Sequence, residues 1–271
     1  MTKWYAVTFD REDTNMAELD AHRQKLKDDF IATRGYWSEL WDGVLQLSPE
    51  FFAAYSAFSS VPWRHGTLPA KIKELIYVAI DASTTHLYNP GTRIHIANAL
   101  KQGATPDEVM EVLQIVSVLG IHTISTGLPI LIDELRKSGR GSEVKDGKLT
   151  AEQENLKQEF VSNRGYWNPV WEQLLQHSPE FFDAYSRLSS VPWRHGTLAP
   201  KIRELIYVAI DAATTHLYLP GLRTHIRNAL GHGATVDEIM EVLQLTSVLG
   251  IHTITEGVSA LLDEAKKAGK I

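Results

Sequence analysis

The chain has 271 residues, of which 44% are hydrophobic and 22% are charged, a composition typical of a globular protein and not of a disordered or fibrous one. Its formal net charge of -6 provides no general basic field, so neither nucleic acid nor an anionic membrane is expected as a partner. The absence of cysteine excludes disulfides, thiolate metal sites and thiol-based redox chemistry.

The N-terminal segment does not have the pattern of a secretory signal. Residues Met1–Tyr5 lack an apolar core, and the longest uninterrupted apolar run, Leu75–Ile80, is far shorter than the roughly 20 residues of a membrane-spanning helix. We therefore expect a soluble, cytoplasmic protein.

The strongest signal along the chain is an internal repeat. The sequences RGYW and VPWRHGTL each occur twice, in both cases 130 positions apart. Residues 58–124 align with 188–254 without a gap, and 52 of these 67 positions are identical. A repeat of this length is domain-sized and predicts two similar units, residues 17–137 and 151–268, related by a pseudo-two-fold axis.

Helical signals open the first repeat. Apolar residues at helical spacing predict a helix over Met16–Phe30, and Ser48-Pro49 supplies an N-cap with proline at the first helical position. Pro69 begins a helix that reaches about Thr85. This helix is apolar on almost all sides, so it is expected to be central and buried.

Three further helices are predicted in the same repeat. Residues Thr92–Gln102 form a helix closed by Gly103. Thr105-Pro106-Asp107-Glu108 is a capping box that starts a helix reaching about His122, and a last amphipathic helix covers Leu128–Lys137.

The segment Lys137–Thr150 combines glycine with charge and no apolar period, as a linker does. No segment alternates with the period of a strand, so the sequence predicts an all-α fold made of two tandem helical bundles.

Two acidic residues on the apolar helix introduce the candidate chemistry. Glu74 and Asp81 lie seven positions apart and therefore on one face. The structural interpretation pairs Glu74 with Lys71, Arg203 or a helix end. The functional interpretation joins it to the acid–base groups that follow, which are His86, Tyr88, Arg93 and His95.

The two histidines are predicted to have different electrostatic settings. His86 is expected at the C-terminal end of its helix, where the partial negative charge would raise its proton affinity, whereas His95 lies one turn into the next helix. The alternative makes His86 a C-cap donor and His95 a satisfied core histidine.

Two other motifs have a structural and a functional interpretation. Arg64 and His65, with their copies Arg194 and His195, stand beside a tryptophan in a predicted loop and could receive a substrate carboxylate, or Arg64 could be a surface cation beside a packing anchor. The stripe Glu111, Gln114, Val118 and His122 could line a cavity or a helix contact. Tyr166, Trp167 and Trp171, like their first-repeat copies, are interpreted as core aromatics first and pocket walls second.

Motifs for metals and cofactors are absent from the sequence. It contains no HExxH or HxxxH helix and no nucleotide-binding or serine-hydrolase motif, so neither a metal nor a cofactor is expected. A metal-dependent version stays open because the chain has 11 histidines.

The first repeat resembles a known family through its run Lys73–Ala82, His95 with Ala99-Leu100, and the segment Gly103–Leu113. This order and spacing is similar to the carboxymuconolactone decarboxylase and alkylhydroperoxidase D-like family, over about 60 residues in each repeat. The resemblance implies a helical, oligomeric, cofactor-free protein. The peroxidase branch has two cysteines where this chain has Tyr88 and Gly91, so peroxidase chemistry is excluded.

The resemblance implies a lyase that decarboxylates a small acidic lactone or a related product of aromatic degradation. In that hypothesis His86 or His95 donates the proton, Glu74 orients the imidazole, and Arg93 or Tyr88 faces the carboxylate or enolate oxygen. The same roles fall in the second repeat on Glu204, His216, His225, Arg223 and Tyr218.

Other functions remain open from the sequence. They are a hydrolase or isomerase acting on a cyclic ester and a non-catalytic homo-oligomeric binding module. The expected partners are a small acidic substrate and further copies of the chain, as a dimer or trimer of two-unit chains.

Overall fold

The computed structural model describes residues 19–270, which are helical with no β-strand. The first repeat contains α1 (Ala21–Arg34), α2 (Leu40–Leu47), α3 (Pro49–Ser59), α4 (Val61–His65), α5 (Ala70–Ala82), α6 (Asn89–Lys101), α7 (Pro106–Ser117) and α8 (His122–Lys137). The second contains α9 (Ala151–Arg164), α10 (Pro169–His177), α11 (Pro179–Ser189), α12 (Val191–His195), α13 (Pro200–Ala212), α14 (Leu219–Gly231), α15 (Val236–Ser247) and α16 (His252–Lys267).

The helix boundaries follow local signals, with some corrections to the sequence predictions. The Thr105–Glu108 capping box is present, with each residue's side chain bonded to the other's backbone N–H. The predicted helix from Met16 begins instead at Ala21, and residues 16–18, including the predicted unit boundary at 17, lie outside the described part of the chain. The sequence analysis missed α2 and α4, which are short and held by tertiary packing.

Two 3₁₀ turns explain further differences in helix bounds. Val118–Ile121 joins α7 directly to α8, so the predicted separate helix from Leu128 instead begins at His122. Gly141–Glu143 forms the other turn, within the predicted linker.

The chain packs into two compact units that do not follow the repeat boundaries. Among the described residues, one unit is 61–253, and the other combines 19–60 with 254–270. In the first unit α5 and α7 pack against α13, and α5 also packs against α15, so helices of both repeats share one core. The division at 17–137 and 151–268 therefore describes the sequence repeat and stays a prediction about domains.

Helices α5 and α13 are the centre of the 61–253 unit, as their composition predicts. Ten of the 13 residues of α5 are buried, and the corresponding side chains of α13 are buried almost as completely. Leu75, Ile76, Leu205 and Ile206 have no exposed surface, and burial of each such side chain stabilises the fold by about 1.5–3 kcal/mol. This core fixes the face of each helix that carries the glutamate and aspartate.

Buried carboxylates connect the repeats reciprocally. Glu111 on α7 accepts hydrogen bonds from the backbone N–H groups of Thr197 and Leu198, at 2.6 and 2.9 Å, and pairs with Arg203 at 2.5 Å. Its copy Glu241 bonds Thr67, Leu68 and Lys73 in the same way. Such an exchange of equivalent contacts is what a pseudo-two-fold relation requires. Of the two interpretations of the polar stripe, cavity lining or helix contact, the helix contact applies at Glu111.

The unit of residues 19–60 and 254–270 has an aromatic core of its own. Phe30 is fully buried, and its ring lies 5.6–6.0 Å from the rings of Tyr36, Trp37, Trp41 and Phe52. Gly35 ends α1 in the left-handed conformation, with φ of 76°.

Two helical stretches are long and apolar enough to cross a membrane by length and composition alone. They are Pro106–Lys137 and Val236–Lys267. The core helices of soluble proteins meet the same criterion, and these stretches carry the buried ion-paired carboxylates of Glu111 and Glu241. The finding is weak evidence for a membrane protein.

Candidate functional site

Each repeat holds a buried glutamate–histidine pair between its central helix and the next one. Glu204 Oε2 on α13 lies 2.6 Å from Nδ1 of His225 on α14, and Glu74 Oε2 lies 2.6 Å from Nδ1 of His95. All four side chains are buried. Two of the structural pairings considered for Glu74 are wrong, because Lys71 bonds Glu108 and Arg203 bonds Glu111.

The pairing leaves one ring nitrogen of His225 for chemistry. A carboxylate on Nδ1 favours the tautomer that carries a proton there, so Nε2 is the nitrogen that can accept or donate another proton. Tyr207 stacks on the imidazole with ring centroids 4.3 Å apart, which fixes the plane of the ring. Tyr77 stacks on His95 in the same way at 4.5 Å.

His225 lines a small, partly open pocket within the 61–253 unit. The pocket is small and has room for only a few water-sized groups. Helices of both repeats form its walls, since Val118, His122 and Ser125 come from the first repeat. Second-repeat aromatic rings form much of the remainder, from Tyr166, Trp171, Tyr185, Tyr207 and Tyr218.

Arg164 gives this pocket a buried positive charge. The residue is 3% exposed, its Nη1 lies 3.4 Å from the carbonyl oxygen of Ser189, and its Nε has no hydrogen-bond partner in the described part of the chain. No carboxylate among residues 19–270 forms an ion pair with it; its guanidinium instead lies 5.2–5.8 Å from four aromatic rings. A desolvated guanidinium in this setting is suited to bind an anion.

Tyr218 is the phenol that enters the same pocket. Its hydroxyl lies 2.5 Å from Ser125 Oγ, and its ring stacks on His122 at 3.8 Å. Burial raises the pKa of Tyr218, so the phenol is protonated at neutral pH and can donate a hydrogen bond. Tyr88 stacks on His252 at the same distance.

His86 and His216 each contact a histidine of the other repeat. Nε2 of His86 lies 2.7 Å from Nδ1 of His252, and Nε2 of His216 lies 2.7 Å from Nδ1 of His122. The expectation that a helix end raises the proton affinity of His86 is wrong: α5 ends at Ala82, and burial lowers the pKa of both His86 and His216.

A strained turn places these histidines. After α5 the backbone N–H of Tyr88 bonds back to the carbonyl of Asp81, and Leu87 adopts a left-handed φ of 51°. Leu217 repeats this conformation with φ of 49°. Bulky residues rarely adopt positive φ, and such strain is found where a side chain must be held in place.

Asp81 lies beside the pair of His86 and His252, and Asp211 lies beside the pair of His216 and His122. Both aspartates are fully buried, and none of their four side-chain oxygens accepts a hydrogen bond from residues 19–270. Burial raises the pKa of Asp81 to about 8 and that of Asp211 to about 7. Burial also lowers the pKa of His122 and of His252 to about 3, with the neighbouring histidines acting in the same direction.

The predicted arginines lie elsewhere. Arg93 and Arg223 are exposed on their helices, and Arg93 bonds Asn89 through Nε. Arg64, His65, Arg194 and His195 are also exposed, on the short helices α4 and α12 and not in a loop, and none of these residues lines the pocket. The substrate-binding roles expected of these six residues stay a prediction.

Arg164 was not predicted as a site residue, and His122 was predicted only as part of a stripe that could line a cavity. Arg164 belongs to the repeated RGYW motif, whose recurrence was a usable signal, but no local rule connects the end of α9 with α13. His122 was the last residue of the polar stripe, and of the two interpretations offered for the stripe the cavity applies here.

Comparisons with known proteins agree with the repeat. The model of the carboxymuconolactone decarboxylase family matches residues 49–122 and 179–262. A solved structure from Burkholderia xenovorans LB400, named "putative gamma-carboxymuconolactone decarboxylase subunit", is 45% identical, with a TM-score of 0.87 over 91% of this chain and 98% of that chain. A comparison with curated proteins gives no match.

Proposed function

This chain belongs to the carboxymuconolactone decarboxylase family, and from that premise we propose that it is a lyase that decarboxylates a compact, carboxylated lactone by acid–base catalysis. One observation carries the proposal: a glutamate-bound imidazole, a phenol and a buried guanidinium meet in one small pocket. These are the groups needed to receive an anion and to return a proton to carbon.

The anion is assigned to Arg164. A guanidinium that is buried without a carboxylate ion pair carries an electrostatic cost that an anionic guest relieves, so the pocket favours acidic over neutral molecules. The bound oxygens can be those of a carboxylate or of the enolate that forms when carbon dioxide leaves. Tyr218 supplies a neutral hydrogen-bond donor to the same volume.

The proton is assigned to Nε2 of His225. When the substrate carbon–carboxylate bond breaks, its electron pair passes through the ring alkene into the lactone carbonyl, and carbon dioxide departs. The imidazolium then donates one proton to a carbon of the resulting dienolate, so that the product has gained one hydrogen and lost one carboxylate. Glu204 stabilises the imidazolium before the transfer and holds the ring in position afterwards.

The same roles are extended to Glu74 and His95, because the two pairs have the same 2.6 Å geometry. Peroxidase chemistry has no thiol to use, since the chain contains no cysteine. We further propose a cytoplasmic homo-oligomer, which exposed apolar side chains such as Phe181, Leu188 and Ile130 support.

Carbon dioxide release tests the reaction. We expect purified protein to release one carbon dioxide per molecule of γ-carboxymuconolactone consumed, and the product formed in D₂O to carry one deuterium on a ring carbon of the former dienolate. A product that retains all its carbon would identify a hydrolase or isomerase and contradict the proposal. No reaction with a panel of carboxylated lactones would contradict it as well.

A further inference from the structure

Two clusters of nitrogen and oxygen donors lie beside the proposed catalytic pairs, and the proposed reaction uses neither. One consists of Asp81, His86 and His252, and the other of Asp211, His216 and His122. Each takes an aspartate and a histidine from one repeat and the second histidine from the other. In each cluster one donor atom per residue lies within 4.8 Å of the others.

The aspartates of these clusters lack the partners that buried carboxylates normally have. Asp81 and Asp211 are fully buried, and in the described structure all four of their side-chain oxygens are without a hydrogen bond. More than 90% of buried polar groups are satisfied, so an exception repeated in both halves requires an explanation, and an ion is one. A Cβ at Gly91 or Gly221 would overlap Oδ2 of the neighbouring aspartate, so glycine allows the carboxylate to lie against the backbone there.

The donor spacing matches a metal ion. In the second cluster Nδ1 of His122 lies 2.7 Å from Nε2 of His216, and Oδ1 of Asp211 lies 3.8 and 4.0 Å from these two nitrogens. The point equidistant from these three atoms in their common plane is about 2.1 Å from each, the length of Zn–N and Zn–O bonds, and a tetrahedral ion there requires the two imidazole nitrogens to move apart. The first cluster repeats the 2.7 and 3.8 Å separations.

We propose that each cluster binds one divalent first-row transition-metal ion, such as Zn²⁺, through two imidazoles and one carboxylate. Two histidines and one carboxylate form a frequent ligand set for zinc and for non-haem iron, whereas magnesium and calcium take oxygen ligands. Three protein ligands leave a coordination position open, as in catalytic metal sites.

The surroundings hold the ligands and give access to the second cluster. Tyr218 stacks on His122 and Tyr88 on His252, and the strained turns at Leu217 and Leu87 fix the histidines that precede them. His122 lines the pocket, so an ion has an entry path and would face a bound guest. A metal there would supply Lewis-acid polarisation of a carbonyl oxygen, but its binding does not depend on the proposed decarboxylation.

Cobalt binding tests the inference without reference to activity. The full chain is stripped with a chelator, incubated with Co²⁺, passed through a desalting column, and examined by elemental analysis and visible absorption. We expect two equivalents of cobalt per chain with a d–d absorption band. His122→Ala and His252→Ala should each remove one equivalent, and the double variant both.

Matched variants control for surface binding and for folding. His22→Ala with His232→Ala removes two exposed histidines and should retain both equivalents. Asp81→Asn with Asp211→Asn keeps the shape of the clusters and should lose both while the helical circular-dichroism spectrum is unchanged. Fewer than two equivalents in the unaltered chain, or cobalt that survives these cluster substitutions, would overturn the proposal.

Discussion

Replacing both paired histidines, His95→Ala with His225→Ala, is expected to lower the rate of carbon dioxide release by about 10²–10⁴-fold, the range typical of a lost general acid. The loss follows because each of these imidazoles is held by a glutamate through Nδ1 and keeps Nε2 for the substrate. Turnover is measured at saturating substrate, and the helical circular-dichroism spectrum should not change.

Two further pairs of substitutions serve as controls for this measurement. His22→Ala with His232→Ala alters the same number of histidines at exposed positions and should leave turnover within about twofold of the unaltered chain. Glu74→Gln with Glu204→Gln keeps the shape of the pairs but removes the charge that stabilises the imidazolium, so turnover should fall in these variants also. Unchanged turnover after loss of both histidines would remove them from the mechanism.

The second large effect is expected on stability. Glu111→Gln leaves Arg203 buried without its carboxylate and weakens the bonds from Thr197 and Leu198, so the free energy of unfolding should fall by about 3–5 kcal/mol. Glu241→Gln should act similarly through Lys73. Urea denaturation followed by circular dichroism measures both changes.

An exposed ion pair is the control for this prediction. Glu134 bonds Lys137 with both side chains more than half exposed, so Glu134→Gln should change the free energy of unfolding by less than about 1 kcal/mol. Equal effects of Glu111→Gln and Glu134→Gln would show that the reciprocal contacts between the repeats do not stabilise the fold.

Local signals were sufficient to predict the helices and the buried character of α5. Proline and the capping box identify helix starts because they act within four residues, and an apolar run on all sides identifies burial. The same reasoning failed at α2 and α4, where packing and not propensity maintains a short helix. It also placed the end of α5 too late, because α5 ends at Ala82 and the turn that follows is closed by the hydrogen bond from the backbone N–H of Tyr88 to the carbonyl of Asp81.

The site could be predicted only where its members are close in sequence. Glu74 and His95 are 21 residues apart on consecutive helices, so proximity was a fair inference. His252 lies 3.8 Å from Asp81 across 171 positions, and Arg164 lines the same pocket as His225, 61 positions away. No spacing rule relates such pairs. Metal motifs on one helix are a poor guide here, because the candidate ligands come from both repeats.

The pocket chemistry is tested most directly by a crystal structure of the chain with a non-reactive carboxylated lactone analogue. The account predicts a ligand oxygen bonded to the guanidinium of Arg164 and a ring carbon within about 3.5 Å of Nε2 of His225. An analogue bound away from both groups, or a pocket that stays closed with Arg164 in contact with protein alone, would contradict it.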